Sequence, residues 1–217
     1  MGKSRFYTIT TMGEMQRAKS LHDALQCRGD DGFVWLDFAD PTRQALTALV
    51  KPLALHPLAI EDCLDNDQVP KMDEFVGHTF LLLNRFLYIH GQTHVEEVNL
   101  FIGRGFVVSV HSHGKDDPAL ADRLEALVRR ELEQARRGPD FLLQVILDHI
   151  VDEKFGAVEA LQDEIDSIED EVLRTPSEFR PDSLIALRRA ILSLRKSLVY
   201  EREILARLCR RDSPYLS

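Results

Sequence analysis

The chain has 217 residues, of which 44% are hydrophobic and 29% are charged, and these proportions are typical of a soluble globular protein. They exclude an intrinsically disordered chain and a fibrous one. No apolar run reaches the roughly 18 residues that a membrane-spanning helix needs. The formal net charge of −9 disfavours nucleic acid as a partner, because neutralising phosphates requires a basic surface.

The cysteines and the N-terminus indicate a protein of the reducing cytosol. Cys27, Cys63 and Cys209 lie far apart and form no CxxC motif, so the sequence predicts neither a disulfide framework nor a zinc ribbon. The N-terminus lacks the apolar region of a secretory signal, and we therefore expect no export.

Short apolar runs alternate with helical patterns over the first 113 residues, which is typical of an α/β or α+β domain. Residues 6–10 and 33–38 are predicted strands, and the stretch around residues 14–25 is a predicted helix. Pro41 and Pro57 each suit the first position of a further helix, where the missing N–H costs nothing.

A predicted meander of three strands follows at residues 79–89, 95–102 and 106–111. A HisGlyGlnThr turn joins the first two strands, and a GlyArgGly turn joins the last two. Connections this short imply antiparallel neighbours. Gly103 and Gly105 also make half of a dinucleotide-binding fingerprint, but no helix follows them, so a hairpin turn is the better interpretation.

Helical patterns dominate the rest of the chain. An amphipathic helix is predicted from Asp117-Pro118 to about residue 137, and two long helices follow at residues 139–174 and 181–210. The first long helix would be about 54 Å in length, whereas a domain of about 140 residues has a radius of gyration of about 14 Å. We therefore expect an α/β domain at residues 1–138 and a projecting helical hairpin at residues 139–217.

Apolar residues recur along both long helices at the 3–4 spacing of a coiled coil, which predicts one shared seam. The first helix contributes Val151, Phe155, Val158, Leu161, Ile165, Ile168 and Val172. The second contributes Leu184, Leu187, Ile191, Leu194, Leu198, Leu205 and Leu208, with Glu201 as the single polar interruption.

The two predicted helices carry opposite charge. Residues 151–175 contain nine acidic and two basic side chains, and residues 176–211 contain nine basic and four acidic ones. Exposed ion pairs of this kind contribute only about 0–1 kcal/mol each. We therefore expect the apolar seam, and not the charge, to hold the hairpin together.

Signatures of chemistry are weak over most of the chain. No GxSxG elbow or comparable motif assembles a nucleophile, so we expect no enzyme. His111 and His113 share one face of an extended segment and could ligate a metal. The acidic run at residues 162–172 could attract hydrated divalent cations, although a solvated helix face is the simpler interpretation.

The most informative segment, residues 56–75, reads HPLAIEDCLDNDQVPKMDEF. A helix that starts at Pro57 places Glu61 and Asp62 in its second turn, and Lys71 follows beyond Pro70. On chemistry alone this is an acidic helix end, which gives weak support for a carboxylate metal site.

The same segment resembles the cytoplasmic domain of CorA-type magnesium and cobalt transporters, in which HPLAIED is followed by Q-x-P-K and an aromatic residue. GFVWLDF resembles the tryptophan-bearing strand of that family. FLLQVILDHIVDEKF with DEIDSIEDEVL resembles its first long helix, and LIALRRAILSLRKSLVYEREIL resembles the returning helix. The stalk helix, the Gly-Met-Asn loop and the two membrane helices of the family do not follow, so the chain looks like a soluble fragment of a transporter.

The resemblance implies an α/β fold, an αβα sandwich with a mixed, partly antiparallel sheet, followed by a long projecting antiparallel hairpin. It also implies a location at the cytoplasmic face of the cell membrane, attached through the absent helices. The implied assembly is a homopentamer of the full-length protein, and we expect the fragment to be a monomer or a weak oligomer.

A regulatory divalent cation is the further implication of the resemblance. Magnesium is the expected ion, with cobalt or zinc as alternatives, and it would be bound by carboxylates between neighbouring protomers. Asp62 matches the principal ligand, Glu61 lies beside it, and Asp148 on the long helix matches a further one. The aspartate that the neighbouring stalk helix supplies in the family has no counterpart here.

Two other interpretations remain open at this point. The zinc-transporting branch of the same superfamily differs in the ion, although the intact HPLAIED and QVPK match the magnesium branch better. A soluble scaffold could instead use its heptad arms to recruit a partner by coiled-coil pairing. The length of the natural reading frame would separate a transporter from a scaffold, because a transporter needs about two further apolar segments of roughly 20 residues.

Overall fold

A mixed β-sheet forms the centre of the computed structural model, which describes residues 3–29, 31–65, 68–112, 120–175 and 181–210. In this part of the chain the strands are β1 (Lys3–Thr10), β2 (Met15–Arg17), β3 (Gly32–Ala39), β4 (Lys71–Phe75), β5 (His78–Ile89), β6 (Gln92–Gly103) and β7 (Phe106–His111). Their order across the sheet is β2-β1-β3-β7-β6-β5-β4. The β3–β7 pair is parallel, and the other pairs are antiparallel.

Alternate residues of the central strands enter two separate hydrophobic cores, because successive side chains of a strand point to opposite faces. Trp35 of β3 and Val107 of β7 belong to the first core, whereas Leu36 and Val108 belong to the second. Both faces of the sheet are therefore covered, which explains why these strands are apolar almost throughout. The predicted αβα sandwich with a mixed sheet is confirmed.

Three short helices cover the second core: α1 (Leu21–Gln26), α2 (Arg43–Leu53) and α3 (Pro57–Asp62). Ser20 and Thr42 cap α1 and α2, since their side-chain oxygens accept the N–H groups of Asp23 and Ala45. Pro57 occupies the first position of α3 as predicted. Pro41 lies outside α2 and precedes its cap.

The predicted helix at residues 14–25 is wrong in its first half, which forms the edge strand β2. Met15 points into the first core while Gln16 and Arg17 are exposed, and three residues are too few to show the period of a strand in the sequence. The strand β4 was also not predicted, because its sequence KMDEF mixes charged and apolar residues.

The strands β5 and β6 each contain 12 residues and form a long hairpin. The residues that join them, His90 and Gly91, both have positive φ angles, 51° and 74°, which characterise a two-residue turn whose twist matches the strands. The turn is therefore two residues shorter than the predicted HisGlyGlnThr, and β6 begins three residues earlier than predicted.

The other face of the sheet is covered by α4 (Leu120–Arg130), a 3-10 helix (Leu132–Arg137) and the first turns of α5 (Pro139–Arg174). The amphipathic helix predicted to end at about residue 137 is therefore α4 followed by a 3-10 helix. Its predicted start at Asp117-Pro118 lies outside the described residues. α5 returns as α6 (Asp182–Cys209), which completes the predicted antiparallel hairpin. The division into two domains at residue 138 stays a prediction. The start of α5 packs with the sheet, since Leu142 and Ile146 belong to the first core.

The seam of the hairpin differs in part from the predicted one. Leu161, Ile168, Leu187 and Leu194 are buried as expected, but their buried cluster also contains the small residues Ala157 and Ala190. Other residues of the predicted seam are exposed, because they lie on a neighbouring face of their helix: Phe155, Val158, Val172, Leu184, Ile191 and Leu198. No helix in the described ranges is long and apolar enough to cross a membrane.

Candidate metal site

The short helix α3 is fixed at its start by its own cap and by a stack of rings. The His56 Nδ1 atom accepts the Leu58 N–H at 3.3 Å, and the His56 ring stacks on Phe75 at 4.5 Å between centroids. Phe75 in turn stacks on His78, which is fully buried and whose pKa is lowered to about 4 by burial and then by His56. A neutral imidazole therefore packs behind α3 at physiological pH.

The two acidic residues at the end of α3 have different surroundings. Ala59 and Ile60 pack in the second core, which turns Glu61 outward to an exposed position. Asp62 is partly buried and has two partners: Lys71 Nζ lies 2.8 Å from Oδ2, and Gln68 Nε2 donates to Oδ1 at 3.2 Å. The QVPK sequence therefore folds back onto the acid of HPLAIED, a pairing that the spacing of the motif did not reveal.

A cavity of about 360 Å³ adjoins the end of α3, and its lining includes Cys63, Glu97 and Asn99. Glu97 anchors the approach to β4, since its carboxylate accepts the Gln68 N–H at 2.8 Å. Burial, and then the nearby charges of Asp62 and Glu97, raise the pKa of the Cys63 thiol. A neutral, partly buried thiol is a poor nucleophile and a poor metal ligand.

Asp148 does not join Asp62 within one chain. Leu142, Leu143 and Ile146 are buried, so α5 packs on the sheet, but it covers the first core whereas α3 covers the second. Asp148 lies exposed on α5. The part of the chain that the structure describes contains no group of three His, Cys, Asp or Glu side chains able to hold a metal.

The predicted ligands suit a hard divalent cation in their chemistry, because Asp62, Glu61 and Asp148 all offer carboxylate oxygens. Within one protomer they provide two neighbouring carboxylates at the end of α3 and one carboxylate on α5. The complete set of three therefore stays a prediction about an assembly of several chains.

His111 is engaged in a buried network and not in a metal site. Its Nε2 atom lies 3.2 Å from Asp37 Oδ1, while Ser109 Oγ donates to the same oxygen at 2.5 Å and Trp35 Nε1 donates to Ser109 Oγ at 2.9 Å. Burial lowers the pKa of His111, but the hydrogen bond and charge of Asp37 outweigh burial and raise it. His113, the other predicted ligand, lies outside the described residues.

The acidic run of α5 is exposed to solvent at most of its carboxylates, including Asp163, Asp166, Glu169 and Asp170. Of these, Asp170 pairs with Arg174 at 2.9 Å, one turn further along the helix. This arrangement supports the solvated-face interpretation of the run.

A buried arginine joins the sheet to the helices on the first core and was missed in the sequence. The side chain of Arg85 is fully buried, with Nη1 2.6 Å from Glu96 Oε2. Its Nε and Nη2 atoms donate to the two oxygens of Glu153 on α5 at 2.7 and 2.6 Å. Burial alone would raise the pKa of Glu153, but the hydrogen bonds and charge of Arg85 lower it to about 2. The sequence signal for this network was Arg85 itself, a charged residue within a largely apolar strand.

The polar interruption at Glu201 has a structural explanation. β4 pairs with β5 only as far as Leu82, which leaves the backbone of Asn84 at an open edge. Glu201 Oε1 accepts the Asn84 N–H at 2.9 Å, and Lys154 Nζ donates to the Asn84 carbonyl and lies 2.9 Å from Glu201 Oε2. The hairpin thus satisfies the backbone groups that a neighbouring strand would otherwise pair.

Comparison with known proteins gives a consistent result. A family model described as CorA-like Mg2+ transporter protein matches residues 30–217. The cobalt/magnesium transport protein CorA of Thermotoga maritima is 32% identical over 167 residues, which cover 75% of this chain and 46% of that protein. The soluble domain of CorA from Methanocaldococcus jannaschii matches with a TM-score of 0.76 at 21% identity, over 98% of this chain and 82% of that one.

A further solved structure has the same fold with a lower TM-score. The cytoplasmic domain of ZntB from Vibrio parahaemolyticus has a TM-score of 0.67 at 11% identity, over 99% of this chain and 82% of that one. The two solved structures establish likeness of fold, and the chain spans about half the length of the curated relatives it matches. Because the family model matches all but the first 29 residues, the chain belongs to the CorA-like Mg2+ transporter family.

Proposed function

We propose that this chain is the cytoplasmic, metal-sensing regulatory part of a CorA-type magnesium and cobalt transport protein. The proposal is supported by the family match and by a relative described as a cobalt/magnesium transport protein. The observation that carries the sensing role is the acidic end of α3, where the Asp62 carboxylate is held in one orientation at the protein surface.

The positions of the carboxylates favour a cation between protomers. Asp62 and Asp148 belong to helices on opposite faces of the sheet. In a head-to-tail ring each protomer meets one neighbour through one face and another neighbour through the opposite face. Asp62 of one protomer, with Glu61 beside it, would then approach Asp148 of the next.

The regulatory effect follows from charge. Carboxylates crowded at an interface repel one another, and a divalent cation that binds between them favours the closed arrangement of the ring. Loss of the cation restores the repulsion and loosens the protomers. The chain's own residues would therefore act as ligands and as the source of the repulsion.

The oxygen-only donor set favours magnesium, with cobalt as the second ion. Zinc sites in proteins use cysteine and histidine ligands more readily, and Cys63, the thiol adjacent to Asp62, is kept neutral by burial and nearby charge. The zinc-transporting alternative is also less favoured because the ZntB domain is the more distant neighbour in structure and in sequence.

The remaining parts of the proposal concern the whole protein. We propose a homopentamer attached to the cytoplasmic face of the cell membrane by segments outside this chain, with no enzymatic activity and no nucleic-acid partner. The fragment alone would associate weakly. A free-standing coiled-coil scaffold remains the competing function, and a natural reading frame without further apolar segments would favour it.

The sensing role is tested in the full-length transporter by Asp62→Ala, with proteolytic protection measured with and without millimolar magnesium. We expect magnesium to protect the parent and to protect the variant much less, because the principal ligand is gone. Glu14→Ala, an exposed acid far from α3 in the sequence, is the control and should behave like the parent. If magnesium protects Asp62→Ala as fully as the parent, Asp62 is not the sensor, and Asp163→Ala on the acidic run becomes the next variant.

A further inference from the structure

The ion pair between Lys71 and Asp62 places a positive charge where the proposed cation would bind. The Nζ–Oδ2 distance is 2.8 Å, and the side chains are 32% and 22% exposed respectively. Gln68 Nε2 occupies the other oxygen, Oδ1, at 3.2 Å. Both oxygens of this carboxylate therefore already have a donor from the same chain.

The position of Lys71 is set by the sheet. Lys71 is the first residue of β4 and pairs with Leu82 of β5. Pro70 before it is buried, and the Gln68 N–H is held by Glu97 at 2.8 Å. The backbone on the approach to β4 is thus anchored at Gln68 and at Lys71, while the Lys71 side chain is partly exposed.

We propose that Lys71 is a tethered counter-ion of Asp62, which a divalent cation must displace before it can bind to that carboxylate. This inference rests on the proposed sensing role of Asp62. An ammonium group and a metal ion compete for one oxygen at close range, because the two positive charges repel. The partial exposure of Lys71 allows its stem to swing into solvent when the cation arrives.

Two consequences follow from this competition. Affinity for the cation is lower than the carboxylate alone would give, because each binding event breaks an ion pair. Asp62 also keeps its orientation in the absence of metal, since Gln68 and Lys71 hold it. Lys71 therefore sets the cation concentration at which the site fills, while Asp62 supplies the ligand.

The test uses the 217-residue chain and four variants, with Mn²⁺ as the probe. Binding is followed by the paramagnetic broadening of backbone amide signals of α3 in NMR spectra. Lys71→Met removes the charge, Lys71→Arg keeps it, Asp62→Asn removes the ligand, and Lys51→Met removes an exposed lysine of α2 as the control. Far-UV circular dichroism establishes that each variant is folded.

We expect Lys71→Met to bind Mn²⁺ at α3 about tenfold more tightly than the parent, which corresponds to about 1.4 kcal/mol. Lys71→Arg and Lys51→Met should stay within about twofold of the parent, and Asp62→Asn should lose the broadening at α3.

The outcomes separate the two proposals. Equal affinities in the parent and Lys71→Met, with loss of broadening in Asp62→Asn, would overturn the role of Lys71 and leave Asp62 as a ligand. Unchanged broadening at α3 in Asp62→Asn would overturn the ligand role of Asp62 and the counter-ion with it.

Discussion

Arg85 shows how a single buried charge can organise several elements. Its guanidinium lies in the first core between Glu96 of β6 and Glu153 of α5, and Arg123 of α4 adds a contact to Glu153 at 3.2 Å. Removing one partner of a buried ion pair typically costs about 3–5 kcal/mol, because the other charge is left uncompensated. The attachment of the long helix to the sheet therefore depends on a few charged atoms as well as on apolar packing.

The lowered pKa of Glu153 gives this network a defined dependence on pH. In the unfolded chain Glu153 has its ordinary pKa of 4.5, and in the folded protein its pKa is about 2. Its contribution, on the order of 3 kcal/mol, is present above about pH 4.5 and is lost as the pH falls towards 2.

We expect Glu153→Gln to destabilise the protein at pH 7 by about 3 kcal/mol and to flatten the fall in stability between about pH 4.5 and 2. Urea denaturation at a series of pH values measures both effects. Glu159→Gln, an exposed acid on the same helix, is the matched control and should change little. If the unfolding free energy of Glu153→Gln falls at acid pH as steeply as that of the parent, other carboxylates govern acid denaturation.

Among the elements, the helical hairpin shows which contacts decide its packing. Two neighbouring apolar stripes run along each helix, and either one fits the 3–4 spacing of a coiled coil. The stripe that is used contains Ala157 and Ala190, whose small side chains allow the helices to approach closely. The exposed stripe contains Phe155, which is 65% exposed.

Paired substitutions distinguish the two stripes. Leu194→Asp places a charge at a buried position and should cost more than about 3 kcal/mol of unfolding free energy. Leu198→Asp, four residues later at a position that is 42% exposed, should cost less than about 1 kcal/mol. Thermal and urea unfolding of both variants gives the comparison, and equal losses would mean that both stripes are enclosed in solution.

The elements also show what the sequence can and cannot specify. The strand β7 and the helix α5 were predicted at their observed ends, since β7 follows the turn at Gly105 and α5 is a long periodic segment that begins at Pro139. The edge strands β2 and β4 were missed, since their pairing partners and not their own few residues determine them. Asp62 was found through a motif, but its pairing with Lys71 arises only when the chain folds back. The pairing of Arg85 with Glu153 was missed because the two residues are 68 positions apart in the sequence.

At the scale of the whole molecule, the carboxylates on opposite faces of the sheet predict an assembly that responds to cations. Sedimentation of the 217-residue chain should show a monomer or a weak oligomer, and millimolar magnesium should increase the average mass. Asp62→Asn and Asp148→Asn should each abolish the increase, because each removes one side of the same contact. A stable pentamer without magnesium would show that apolar contacts suffice for assembly.

The capping of Asn84 by Lys154 and Glu201 has a consequence for solubility. A strand edge with unpaired N–H and C=O groups is a template on which a strand of another molecule can add. β5 carries the apolar run FLLLNRFLYI without a proline, a composition that favours such addition. By occupying the backbone groups of Asn84, the hairpin blocks that edge where the cover of β4 ends. The contact of Lys154 and Glu201 with Asn84 therefore removes one place on this edge where a strand of another molecule could add.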